Sequence, residues 1–192
     1  MESKKTSNDF FSKNENEIET IIREYWITID SYIINNDGSI DVGGDVIFAK
    51  NMGFITELPL KFNKVSGNFD CSQLSLTTLK NSPIEVGNFD CSFNQLLSLE
   101  HAPKKVIGTF IFDNTTKSLY TGEKSCDFKK VELFFRTNDP KLVGLPDIIS
   151  KNAIYLPIIL KYQKYYEIWN HDKSLNEANF DGLIEDIQDG LE

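Results

Sequence analysis

Residues able to do chemistry are few and scattered in this chain of 192 residues. Neither histidine, His101 or His171, stands in a triad setting, so both read as loop residues rather than general bases. The three cysteines, Cys71, Cys91 and Cys126, form no C-x-x-C pair and have no histidine beside them, so no metal site is expected. Cys71 and Cys91 read as buried free thiols that act as small apolar side chains, whereas Cys126 lies in an irregular stretch with room to be exposed. Asp70 and Asp90 could work as acid and base only across a shared pocket, and the pattern implies none. NNDGSID (35–41) looks like a calcium loop, but the EF-hand register puts Ile33 at the first ligand position; an Asn-Asp-Gly turn between strands fits better. TGEKS (121–125) lacks the preceding glycine of a phosphate-binding loop, and no G-x-G-x-x-G occurs. No catalytic residue, no cofactor and no metal are therefore expected.

What must position any site is a repeat. GNFDCS occurs at 67–72 and again at 87–92, and Leu76, Leu79 and Pro83 recur twenty residues on as Leu96, Leu99 and Pro103. Looser copies flank the pair, giving about five rungs at 42–64, 65–85, 86–105, 106–127 and 128–146. The fourth is irregular, because 114–126 shows neither the leucine pair nor the proline. Gly-x-Phe-x-Cys alternation predicts a short strand with Phe and Cys on one face. Stacking such strands predicts two inward columns, Val46/Phe69/Phe89/Phe110/Leu133 and Phe48/Cys71/Cys91/Phe112/Phe135, closed from behind by the leucines of each rung. Asn51, Asn94 and Asn138 mark the bend after the strand, where a side-chain amide can satisfy turn backbone groups. Leu74 at that place in the second rung predicts a looser turn.

The third rung, Phe89-x-Cys91-x-x-Asn94-x-Leu96-x-x-Leu99 followed by Pro103, resembles the leucine-rich repeat consensus in a short form. Together with SYIINNDGSIDVGGDVIF, ELPLKFNKVSGNFDCS and YQKYYEIWN, it makes roughly residues 29–190 similar to a family of repeat proteins common in bacteriophage genomes. That resemblance implies an architecture and a phage or bacterial setting, and no reaction.

The expected fold class is α+β: a leucine-rich-repeat-like solenoid with short parallel strands, capped by helices at the N- and C-termini. Solenoid ends expose apolar cross-sections, and both termini look built to cover them. Residues 1–41 read as an N-terminal helical cap with a lead-in strand and turn, 42–146 as the solenoid, and 147–192 as a C-terminal helical cap. Ile18, Ile21, Ile22 and Tyr25 fall at helical spacing in 8–26. Tyr155, Ile158, Ile159, Tyr162, Tyr166 and Trp169 do the same, with Pro157 suited to a first turn. Ser174 and Glu177 read as a capping box for a last helix.

Twenty basic against 29 acidic residues leave a net charge of −9, which argues against direct binding of nucleic acid or of an anionic membrane surface. No apolar run approaches the ~20 residues of a membrane span. The start shows no apolar segment behind its lysines, and with so few cysteines this predicts a reducing, cytoplasmic compartment, that of the host if the chain is phage-encoded. Residues 172–192 hold seven acids and one lysine.

Outward strand positions form the surface that solenoids offer to partners. The central outward column reads Ile47, Asp70, Asp90, Ile111, Phe134, flanked by Asn88 on one side and Arg136 on the other. Apolar side chains rimmed by polar ones are what protein-binding patches look like. The candidate binding residues are thus Ile47, Asp70, Asn88, Asp90, Ile111, Phe134 and Arg136. They point to a non-enzymatic protein-binding module that modulates or inhibits a host or phage protein through the sheet face and the acidic C-terminal helix. A structural or self-assembling phage component, and an acidic nucleic-acid mimic, are the alternatives; a hydrolase using Asp70 and Asp90 is the weakest.

Overall fold

The computed structural model describes residues 7–51, 53–122, 126–139 and 141–192, with side chains described from residue 15. Its centre is a β-solenoid of about four turns. The strands β4 (Val46–Phe48), β5 (Phe62–Asp70), β6 (Glu85–Asp90), β7 (Lys105–Asp113) and β8 (Asp127–Phe134) lie parallel and in sequence order. β3 (Ile40–Val42) pairs with the first half of β5, so β3 and β4 together form the first rung edge. β1 (Ile27–Ile29) and β2 (Tyr32–Ile34) pair antiparallel with β4 and β3 and close this end.

The pairing shifts register at the glycines, between Val65 and Asn68 on β5, Val86 and Phe89 on β6, and Val106 and Thr109 on β7. The reason is contact between stacked backbones: a Cβ on Gly87 would sit 2.4 Å from the Gly67 carbonyl oxygen. Glycine is thus what lets the repeat stack.

Inside, Phe69 and Phe89 stack at 5.3 Å, Phe89 and Phe110 at 5.6 Å, and Phe110 and Phe128 at 4.5 Å, all nearly parallel. Each fully buried ring contributes about 1.5–3 kcal/mol, which a lone strand could not realise. Cys71 and Cys91, two residues on from Phe69 and Phe89, are free and buried, with thiols hydrogen-bonded to the Asp90 and Ile111 carbonyls. Burial pushes both thiol pKa values well up, so neither is a ready thiolate. Cys126 is buried as well, contrary to expectation.

The last rung departs from the expected columns. Val131, not Leu133, lies opposite Phe110; Leu133 lies opposite Phe112, and Glu132 rather than Phe134 opposite Ile111. Phe135 is 60% exposed instead of inward, and Leu142 is 61% exposed rather than part of the closing pair. The Val131/Leu133/Phe135 alternation is unchanged by a two-residue slip, so the register is settled elsewhere, by Phe128 pairing with Val106 and stacking on Phe110.

Asparagines do seal the bends, and of the three expected it is Asn94 that does so. Buried Asn94 accepts from the backbone N–H of Leu74 (3.2 Å) and Leu76 (3.0 Å) and donates to the Cys71 and Cys91 carbonyls, so the second rung needs no amide of its own. Asn114 does the same work one turn on, accepting from Arg136 N–H and donating to the Thr137 carbonyl. Asn51 and Asn138 are exposed.

At the N-terminal end, α1 (Ser7–Glu24) buries Ile18 and leans Ile21 and Ile22 on the core. At the other end come α2 (Asp147–Lys151), a 3-10 turn at Ala153–Tyr155, α3 (Leu156–Tyr162) with Pro157 in its first turn, and α4 (Glu177–Gln188). Two details differ from the sequence reading. Tyr166 and Trp169 lie beyond α3, Trp169 in a bridge with Leu175, and α4 is capped by Asn176, which accepts from Asn179 N–H, rather than by Ser174. Among the described residues no helix is long and apolar enough to cross a membrane.

Candidate functional site

The outward face was expected to carry the site, and its aspartates are in register, Asp70 beside Asp90. Both serve to end their strands. Asp70 Oδ1 accepts from Ser72 N–H (3.1 Å) and Oγ (2.8 Å), and Asp90 Oδ1 from Ser92 N–H (2.9 Å) and Oγ (2.7 Å). Asp113 repeats the device with Thr115. Lys50 adds an ion pair to Asp70. Burial alone would raise the Asp70 pKa, but the Lys50 and Ser72 hydrogen bonds outweigh it and hold the carboxyl below its ordinary value. A general acid needs the opposite shift.

Asn88 is equally engaged. It donates to Asn68 Oδ1 (2.9 Å) and accepts from Thr109 N–H (2.8 Å), while Asn68 donates to Asp45 (3.0 Å). This side-chain ladder carries the sheet's hydrogen bonding past the glycine bulges, where the backbone pairing skips.

The apolar members do not form one patch. Ile47, 39% exposed, and half-buried Ile111 stand at opposite ends of the row Ile47–Asp70–Asp90–Ile111. Three strand steps separate them, or about 14 Å at the usual spacing.

Phe134 and Arg136 do meet something, a residue the repeat hides. Phe93 is 40% exposed, its ring 6.3 Å from that of Phe134, itself 46% exposed. Arg136 lies over the Phe93 ring at 5.6 Å and donates to the Asn94 carbonyl (3.3 Å). Phe93 occupies the left-handed region at φ 58°, as Asn51 (61°) and Gln73 (58°) do in the preceding rungs. Left-handed geometry suits Asn; an aromatic there costs on the order of 1 kcal/mol. The sequence signal was the change from GNFDCSQ to GNFDCSF, where a polar turn residue becomes aromatic.

The acidic C-terminal segment is partly engaged too. Asp172 holds Ser174, and Asp186 accepts from the Tyr166 hydroxyl, which drives that phenol up to about 12. Glu177, Asp181 and Glu185 remain exposed along α4.

Among the described residues, no group of histidine, cysteine and carboxylate side chains is placed to hold a metal ion. No family model, curated protein or solved structure matches the chain.

Proposed function

We propose that this chain is a non-enzymatic protein-binding module whose contact centre is Phe93, Phe134 and Arg136, at the carboxyl ends of β6 to β8. The observation that carries the reading is Phe93: a bulky ring kept in a costly backbone conformation, half out of water, between a second exposed ring and a guanidinium. Aromatic and arginine side chains dominate the binding energy of protein interfaces. The neighbouring Asp90, on a chain of net charge −9, suits a partner with an apolar centre and a basic rim. In the phage-type setting that the leucine-rich-repeat-like resemblance implies, that partner is a host or phage protein, modulated by being bound.

The test is affinity capture from bacterial lysate with the parent chain and single-site variants. A partner held through this centre is enriched by the parent and by Ile154→Ala, an exposed apolar position on the C-terminal cap. It is reduced at least tenfold by Phe134→Ala and Arg136→Ala. Capture indifferent to both changes sinks the assignment, and a high-order oligomer in light scattering moves the reading to self-assembly.

A further inference from the structure

A second concavity lies elsewhere, between the irregular fourth rung and the segment that joins α3 to α4. It measures about 780 Å³, within the range of small-molecule sites, and its walls include Tyr120, Glu167, Trp169, Asn170, Asn176 and Asn179. We infer that this hollow binds an uncharged saccharide, whose ring lies on the Trp169 indole and whose hydroxyls meet the surrounding amides and the Glu167 carboxylate.

Trp169 is fixed before any ligand arrives. Its Nε1 donates to Gln163 Oε1 (2.6 Å), and buried Gln163 donates in turn to Thr121 Oγ1 (3.0 Å) and the Leu160 carbonyl (3.2 Å). Thr121 is the product of the irregular rung. Ser118 accepts from Tyr120 N–H as Ser98 does from Glu100 N–H, and Leu99 N–H donates to the Ser118 carbonyl, so buried Leu119 stands where Leu99 does and Thr121 lies two residues beyond it. The fourth rung closes its core with Leu119, and Thr121 just beyond it presents the hydroxyl that anchors the cap. An indole held by such a relay keeps its orientation, which a stacking platform needs.

The rim is also held under strain, with non-glycine residues Glu167 and Lys173 at φ 52° and 65°. Such outliers persist where the surroundings over-determine them, and they cluster at ligand sites.

The ligand class follows from charge and hydrogen-bonding capacity. Lys164 and Lys173 on the wall are matched by Glu167 and Asp172, and Lys173 already pairs with Glu100 at 2.5 Å, so no net field favours an anion. The amides are half engaged. Asn176 accepts from Asn179 N–H, Asn170 donates to Ser174 Oγ (2.9 Å), and Asn179 donates to the Glu167 carbonyl (3.1 Å). Among the described residues, nothing occupies Asn176 Nδ2, Asn170 Oδ1 or Asn179 Oδ1. One donor and two acceptors beside a carboxylate match hydroxyls, which both give and take a hydrogen bond.

The chain has two tryptophans, so Trp26→Phe isolates the emission of Trp169 in the full-length protein. Titration with neutral gluco-, galacto-, manno- and N-acetylhexosamine oligosaccharides is expected to give a saturable change with at least one series. Asn176→Asp keeps the capping oxygen and removes the amide donor; it should weaken that binding tenfold or more with little change in thermal midpoint. Phe134→Ala should leave it unchanged, which separates this site from the protein contact above. The inference is overturned by no saturable response at millimolar sugar, by a response confined to nucleotides, sugar phosphates or peptides, or by undiminished binding in Asn176→Asp.

Discussion

The chain turns twice on one five-residue device, at residues 35–39 and 170–174, and the two copies have been put to different use. In each, the first residue is an asparagine whose N–H reaches the carbonyl of a serine four places on, at 2.8 Å in Asn35 and 2.9 Å in Asn170. In each, an aspartate accepts from that serine's hydroxyl at 2.6 Å. The fourth residue is left-handed in both, Gly38 at φ 77° and Lys173 at φ 65°. Glycine takes that conformation without cost, and lysine does not. What lysine adds is reach: Lys173 pairs with Glu100 on the third rung and lies 5.2 Å from the Tyr120 ring. The first tip has its ion pair on the aspartate instead, Asp37 to Lys61 at 2.6 Å. The same turn is a plain reversal at one end and, at the other, the wall of a hollow tied back to the solenoid.

The largest effect should come from the Thr121–Gln163–Trp169 relay that leads into the second tip and has no counterpart at the first. Gln163→Leu leaves the buried side of Trp169 without its acceptor, for a loss of about 1–3 kcal/mol in urea unfolding. Hydrogen exchange should rise across 163–175 and stay unchanged at 35–39; equal opening of both tips would break the contrast.

A smaller effect tests the lysine. Gly38→Lys should cost on the order of 1 kcal/mol in backbone strain alone, since nothing lies within 4 Å of its added Cβ. Lys173→Gly should be nearly neutral, as strain relief offsets a surface pair worth under about 1 kcal/mol. In a Glu100→Gln background Lys173→Gly should turn stabilising, and a thermal-unfolding cycle that shows no such change of sign refutes the role given to the lysine.

The smallest effect is on acid stability. Lys61 first and then Ser39 hold the Asp37 carboxyl well below its ordinary 3.8, and Ser174 lowers that of Asp172. Carboxylates depressed by folding add stability that is complete above their unfolded pKa and fades as pH falls through the lowered folded values. Asp37→Asn should therefore flatten the fall in midpoint below about pH 4 more than Asp172→Asn does, because the first tip loses a cation as well as a serine.

Much of the solenoid was legible in the chain. Two copies of GNFDCS placed Phe69 over Phe89 and Cys71 beside Cys91, because a period-2 pattern repeated at fixed spacing leaves one economical stack. The Asn-Asp-Gly turn was equally plain, since its chemistry is contained in five residues. The candidate contact was only half visible: Phe134 and Arg136 stood out, while Phe93 looked like one more turn residue. The second tip, 170–174, went unrecognised because lysine stands where glycine would have marked it.

Local pattern thus determined which residues face inward, where the backbones must be bare of side chains, and that neighbours are needed for any rung to be stable. It could not determine the register of β8, since a slip of two residues preserves alternation and only the Phe128–Phe110 stack distinguishes the choices. Nor could it show Gln163 reaching Thr121, or Phe93 reaching Phe134, each pair about forty residues apart. Those meetings depend on how far the coil has advanced per turn and where the cap lands on it, which is a property of the folded path and not of any stretch of sequence.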